Sequence, residues 1–476
     1  MLILNKFYID GTWVDPASDA TMPIMNPATE AQIGTVSMGN AADVDRAVAA
    51  ARRAFETFSL TTKAERLALL KNLRVETKAR LSDLAAAMTS EMGAPATMSL
   101  EVQAQSGLGH LEDFITTLET LDDEETLPNG DIISREPIGV CGLITPWNWP
   151  INQIALKVVP ALATGATCVL KPSEHTPLSA QIYAEIVHAA GYPAGVFNLI
   201  QGDGVCVGSA MSRHPSIDMM SFTGSTRAGT AVSKDAADGI KRVTLELGGK
   251  SPNLVFADAD LDTRIKESVE GCFYNTGQSC NAPTRLLVER SCYDQVLSLA
   301  KTAAEAQAVG DPAQPGDHIG PVFDKIQYDR VQAMIQTGID EGARVLSGGL
   351  GKPKGLETGW YVKPTIFCDV AHDMRISREE IFGPVLVITP FDTEEDAITM
   401  ANDTDYGLAA YVQSGDKARV SRVVRRLRAG TIQINGRGPD YGSPFGGYKQ
   451  SGNGREGGMF GLEDYLEIKV RPPFAA

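Results

Sequence analysis

The stretch "IGVCGLITPWNWPINQIALKVVPALATGATCVLK" (138–171) joins two short apolar runs through a break with two prolines and a segment long enough for a helix. Runs of this length, uninterrupted by charge, read as strands buried on both faces. The pattern continues with "GVFNLI" (195–200), "DMMSFT" (218–223) and "KRVTLEL" (241–247). Helix-length segments separate them, "TPLSAQIYAEIVHAA" and "STRAGTAVSKDAADG". Strand–helix alternation with few Asn-Gly turns predicts a parallel, doubly wound α/β sheet.

A second series, from about 253 to 435, repeats the pattern: "NLVFA", a helix ending near Cys280, "TRLLVE", "PVLVITPF", "LAAYVQS" and "GTIQIN". It reads as a second α/β domain, and a cleft between two such domains is a common seat for cofactor and substrate. Upstream, "KFYIDGTWVD" predicts a hairpin turning at Asp10-Gly11. Residues 41–92 carry a helical apolar period. The acidic stretch 117–137 predicts a protruding hairpin, and the alternating "GLEDYLEIKV" near the C-terminus predicts a strand able to pair with it.

At 476 residues the chain is long enough for two or three domains. A net charge of −16 repels phosphate backbones and anionic membranes, which argues against nucleic acid as a partner. No apolar run approaches the ~18 residues of a membrane span, and the start is too short for a signal peptide. A cytoplasmic location is the expectation. Seven scattered cysteines, an odd number, argue for reduced thiols. Without CxxC, HxxxH or HExxH spacing, no metal site is expected.

Six of the cysteines read as inert core residues. Cys280, in "CFYNTGQSCNAP" (272–283), is the exception, because its neighbours are small polar and amide side chains. Two motifs fail on inspection. "GDGVCVG" (202–208) is spaced GxGxxxG, and "GGKS" (248–251) lacks the earlier glycine of a phosphate loop because position 244 is threonine. Four other stretches point to one chemistry. "TPWNWP" (145–150) places Asn148 between two tryptophans, "LELGGKSP" (245–252) offers Glu246, and "QSC" offers Cys280. "FTGST" (222–226) puts Gly224 and Ser225 at a strand-to-helix turn, where free N–H groups can hold an anion.

With Glu246 34 positions before Cys280, and with "NPATE" (26–30), "KPSEHTP" (171–177), "EEIFGPV" (379–385) and "SPFGGYKQSGNGRE" (443–456), the chain closely resembles the NAD(P)-dependent aldehyde dehydrogenase superfamily over essentially its whole length. The resemblance implies a Rossmann-like NAD-binding domain (1–116 and 138–248), an α/β catalytic domain (249–445) and a β oligomerisation arm (117–137 and 461–476). A homo-oligomer follows, dimer or tetramer.

The resemblance also implies roles. Cys280 is the nucleophile, with its thiolate favoured by polar neighbours and a nearby cofactor cation. The Asn148 amide and the Cys280 N–H hold the oxyanion. Glu246 is the general base that releases the acid, and Glu456 is either a proton relay or a structural ion-pair partner. Lys171 and Glu174 match positions at the adenosine ribose, Trp147, Gly224 and Ser225 positions along the pyrophosphate, and Glu380 and Phe382 positions at the nicotinamide ribose and ring. A carboxylate at Glu174 accepts ribose hydroxyls and repels a 2′-phosphate, which favours NAD over NADP.

Trp149, Gln153, Ser279, Asn281 and the loop 435–445 are expected to line the aldehyde tunnel. Arg437 in that loop either grips the far carboxylate of a semialdehyde or pairs with Asp440 or another subunit. The substrate expected is a polar, semialdehyde or aromatic aldehyde. A CoA-acylating enzyme is the alternative, disfavoured by Glu246. A non-enzymatic protein on the same fold is the other, disfavoured by the presence of Cys280, Asn148 and Glu246 together.

Overall fold

The computed structural model describes residues 2–474, so Met1 of the first expected domain and Ala475 and Ala476 of the expected arm lie outside the described residues. The runs at 138–171 form parallel strands, Val140–Ile144 and Thr167–Lys171, in register from Val140↔Thr167 to Ile144↔Lys171. Between them the helix Pro150–Thr164 begins on a proline, where the missing N–H costs nothing, and ends at Gly165 in the left-handed region. Almost every residue of this helix is buried, as expected of one apolar on all sides.

Five parallel strands form the heart of an eight-stranded sheet: Phe197–Leu199, Thr167–Lys171, Val140–Ile144, Met219–Thr223 and Arg242–Glu246. Numbered along the chain, their spatial order is 3-2-1-4-5. The order reverses between Val140–Ile144 and Met219–Thr223, and ligands bind outside the carboxyl ends of strands at such a switch point.

Alternate side chains feed the two faces. Cys141 and Leu143 join Leu70, Phe114, Ile154 and Tyr183 in the larger core. Val140 and Met220 join Val44, Ala47 and Val232 in the core on the opposite side. The hairpin Phe7–Ile9/Thr12–Val14 extends one edge antiparallel, turning through Asp10 and Gly11 at φ 54° and 75°, as the Asp-Gly pair predicts.

The second sheet has seven strands. Pro252–Val255, Arg285–Glu289, Val385–Phe391, Ala409–Gln413 and Thr431–Ile434 match the sequence expectation, while Thr365–Cys368 and the antiparallel Arg344–Ser347 complete it. Only residues 247–251 separate Glu246, at the carboxyl end of a strand in the first sheet, from Pro252, at the amino end of one in the second. The two sheets therefore meet end to end at the switch point.

The acidic stretch forms the hairpin Glu124–Thr126/Ile132–Pro137, and Leu466–Arg471 pairs antiparallel with its second strand within the same chain. The preceding helix, Ala104–Thr120, runs past residue 117. A further small sheet of Leu2–Leu4, Thr21–Met25 and Gln32–Ser37 was not read from the sequence. One cysteine departs from expectation: Cys206 is exposed, because 204–208 forms a wide turn on the surface rather than core.

Candidate active site

Cys280 stands at the junction of the sheets, half-buried, in the loop before the strand Arg285–Glu289. A Cβ on Gly249 would come within 2.3 Å of the Cys280 carbonyl, so only glycine lets the 247–251 link pass this close. Asn148, just beyond the strand Val140–Ile144, is buried and donates through Nδ2 to the Gln278 carbonyl at 2.9 Å. Trp149 Nε1–H donates to Ser279 Oγ at 2.9 Å. The oxyanion candidate and the thiol loop are thus stitched together at the two residues just before Cys280.

The thiol is not a resting thiolate. Burial pushes its pKa well up, the carboxylates of Glu380 and Glu246 push it further, and the backbone N–H groups of Cys280 and Asn281 pull only partly against them. The polar surroundings do not by themselves favour the thiolate. Glu246 ends its strand buried, with neither carboxylate oxygen hydrogen-bonded among the described residues. Burial, then the charge of Glu456, raises its pKa well above the ordinary carboxyl range, against Lys157 and Arg455. Glu456 forms an ion pair with Lys157, both buried, and Lys157 also reaches Ser221 Oγ at 3.2 Å.

The residues expected at the cofactor gather at the carboxyl ends of the first sheet, where a switch point places its crevice. Lys171 Nζ is buried, donating to the carbonyls of Pro172 and Gly202 at 2.8 and 2.6 Å and to Glu174 Oε2 at 3.2 Å. Ser225 caps the helix Thr226–Ala237, its Oγ accepting from Ala228 N–H at 3.3 Å, and Gly224 N–H donates to the Glu246 carbonyl at 3.0 Å, so the remaining N–H groups of the first turn are the ones left to hold an anion. The Trp147 ring stacks on Phe323 with centroids 3.7 Å apart, and meets Phe382 edge-on at 5.5 Å.

Phe382 is held at φ 59°, and Gln327 Nε2 clamps it by donating to the carbonyls of Ile381 and Phe382 at 3.1 and 2.7 Å. Glu380 Oε1 accepts from Gly249 N–H at 3.0 Å. A carboxylate paired with a buried lysine, a helix N-terminus and an aromatic clamp at this end of the sheet fit the chemistry of a dinucleotide.

On the other side of Cys280 lies a cavity of about 390 Å³, whose walls include Trp149, Tyr274, Ser279, Asn281, Gln433 and Gly436. Gln153 is buried near the start of its helix with Oε1 unpartnered among the described residues, and it does not line this cavity. Arg437 follows Gly436 and is exposed; among the described residues no ion pair joins it to Asp440. Tyr441 docks its loop on the helix Ala104–Thr120, edge-on to His110 at 4.9 Å. No group of three or more potential metal ligands occurs among the described residues, and no helix is long and apolar enough to cross a membrane.

Residues 13–471 match the family model described as "Aldehyde dehydrogenase family". The chain belongs to the aldehyde dehydrogenase family. It is 52% identical over 467 residues, 98% of each chain, to a 3-succinoylsemialdehyde-pyridine dehydrogenase from a Pseudomonas species. Its fold superposes on a solved aldehyde dehydrogenase from Bartonella henselae with a TM-score of 0.98 at 50% identity, covering 99% of both chains. A mutant of aldehyde dehydrogenase C from Pseudomonas syringae, solved with NAD+ and octanal, gives a TM-score of 0.97 at 48% identity, covering 99% of this chain and 97% of that one. The resemblance carried by the scattered motifs is therefore a family relationship along the whole chain, and the protein is an enzyme of that family.

The motifs did not reveal Phe323, Gln327, Asn275, Gln278 and Lys157 as parts of the site. Asn275 and Gln278 stand inside "CFYNTGQSC" and carried a turn signal only. Phe323 and Gln327 reach the crevice from the helix Lys325–Asp340 and the segment before it, a juxtaposition without any sequence spacing to mark it.

Proposed function

We propose that this enzyme oxidises an aldehyde to its carboxylic acid with NAD, through a covalent adduct on Cys280. The observation that carries the proposal is the placement of an unpartnered, buried Glu246 carboxyl and the Asn148 amide around one half-buried thiol. The thiol proton leaves to Glu246 as sulfur attacks the carbonyl carbon. Asn148 Nδ2–H and the Cys280 N–H then stabilise the oxyanion, each such donor being worth ~3–4 kcal/mol. NAD, when bound, supplies the hydride acceptor and a positive charge beside the thiol. The resulting thioester is cleaved by water, which Glu246 deprotonates. Lys157 and Glu456 adjoin Glu246 and offer its proton a way out.

In the crevice, Lys171 and Glu174 would hold the adenosine ribose, Trp147, Gly224 and Ser225 would border the pyrophosphate, and Glu380 and Phe382 would fix the nicotinamide end. NAD is preferred over NADP because Glu174 remains anionic. Burial pushes its pKa up, but Lys171, a backbone N–H and His175 together outweigh that and the net value lies below the usual carboxylate range.

The substrate proposed is a semialdehyde or another polar aldehyde with an aromatic or keto group. Three features support it: the polar cavity wall of Ser279, Asn281 and Gln433, the exposed Arg437 next in sequence to the lining Gly436 and without an ion pair among the described residues, and the similarity to a dehydrogenase named for a pyridine semialdehyde. The test is NADH formation from two matched aldehydes, one ending in a carboxylate and one uncharged, with wild type and Arg437→Ala. A preference for the carboxylate that disappears in the variant supports the semialdehyde reading. Equal turnover of both aldehydes by both proteins rejects it.

A further inference from the structure

The chain enters the nucleophile loop through three consecutive left-handed residues, Asn275, Thr276 and Gly277, at φ 52°, 57° and 70°. Non-glycine residues are strained in that region, and they persist only where their surroundings over-determine them. The surroundings here do so. A Cβ on Gly277 would lie 2.1 Å from the Gly383 carbonyl, and Thr276 Oγ1 donates to the Gly320 carbonyl at 3.1 Å.

Asn275 makes the most consequential contacts. Its Nδ2 donates to the Asn148 carbonyl at 3.0 Å and to the Gln278 carbonyl at 3.3 Å, while its Oδ1 accepts from Gln103 Nε2 at 3.1 Å. Asn275, Gln103 and Asn148 are all buried. Gln103 closes a widened helical turn, Ser99–Gln103, in which Ala104 N–H reaches back five residues to the Ser99 carbonyl. Widened turns of this kind are rare and cluster at functional sites. This one presents an amide from the first domain to a strained turn in the second.

We infer that Asn275, held by Gln103, is a positioning residue for the oxyanion site. It fixes the Asn148 peptide on one side and the Gln278 carbonyl on the other. That carbonyl takes one N–H of the Asn148 amide, which leaves the second N–H for the substrate oxygen. Asn275 touches no reacting atom in this arrangement; its effect passes through Asn148. The inference rests on the roles proposed above for Asn148 and Cys280.

The test separates acylation from thiol reactivity. Asn275→Gly keeps the left-handed backbone and deletes the side-chain bonds, whereas Asn275→Asp keeps the shape and sets an acceptor against two carbonyls. In single-turnover NADH formation with propanal and NAD, both are expected to slow acylation by about 10- to 100-fold, the scale of a small misplacement of a reacting group. KM should stay within about twofold and alkylation of Cys280 by iodoacetamide, which needs no oxyanion donor, should be unchanged. Gln103→Leu, outside the strained turn, should show the same pattern more weakly.

In an Asn148→Ala background, Asn275→Gly should add no further loss. Alkylation lost in parallel with acylation, or a full additional penalty in that background, overturns the inference. An unimpaired Asn148→Ala enzyme would overturn the active-site reading instead, and that single variant tells the two failures apart.

Discussion

Lys157 and Glu456 form a buried ion pair whose acidic member is the strongest of the charges raising the pKa of Glu246. One carboxylate oxygen of Glu456 remains without a partner among the described residues, as do both oxygens of Glu246. The pair is therefore both a structural clasp and an electrostatic control on the proposed base.

Its first consequence is a pH profile. Burial and then Glu456 hold Glu246 above the ordinary carboxyl range, so the basic form grows, and thioester hydrolysis with it, as pH rises through that raised midpoint. Glu456→Gln removes a raising charge and should move the midpoint of the kcat profile to lower pH. Lys157→Met removes an opposing charge and should move it higher. Each variant should also lose about 3–5 kcal/mol of stability in denaturant titration, because it leaves one buried charge unpaired. Shifts in the same direction would show that the pair does not act on Glu246 electrostatically.

Glu246→Gln should still form one equivalent of NADH per active site, more slowly because the thiol loses its proton acceptor, and then stall because water is not activated. A rapid-mixing trace with a full burst and a steady rate at least ~100-fold below wild type is expected. The same substitution carries a linkage signature. The folded-state pKa of Glu246 lies above its unfolded value, so its contribution to stability is full at low pH and is lost as pH rises through the folded pKa. Thermal melts of Glu246→Gln should lack that loss above the ordinary carboxyl range. Undiminished turnover in this variant would move the base elsewhere.

Glu174 sits 3.2 Å from the buried Lys171, and the proposed preference for NAD rests on its charge. Glu174→Gln should tighten NADP binding by about 10-fold, the scale of ~1.4 kcal/mol for one repulsive contact removed, while NAD weakens through loss of a diol acceptor. Nucleotide titrations followed by protein fluorescence read both constants. An unchanged ratio of the two would detach Glu174 from the ribose.

The strand Leu466–Arg471 lies at the edge of its three-stranded sheet, with Ile468 and Val470 both more than half exposed. An open edge carrying apolar side chains is a ready surface for another copy of the chain. Replacing Ile468 and Val470 together by aspartate should shift the sedimentation coefficient to a smaller species while the far-UV spectrum is kept. An unchanged coefficient would place the contact between copies elsewhere.

Local sequence alone determined a good deal of this protein. The apolar runs around 138–171 and their helix-length spacers specify strands buried on both faces, because side-chain burial and connection length are local properties. The Asp10-Gly11 turn, the acidic hairpin and Cys280 among polar neighbours were legible for the same reason. Collinear motifs then led to Asn148 and Glu246 because each sits at a strand's carboxyl end, where chain position and site position coincide.

Tertiary structure alone decided the rest. Asn275 and Gln103, 172 residues apart, meet only because the two sheets abut end to end. Lys157 and Glu456, 299 residues apart, meet because the C-terminal segment returns to the first sheet. The pKa of Cys280 could not be read from its polar neighbours either. Burial and two carboxylates brought in from other strands and loops outweigh them, and both depend on how the whole chain packs.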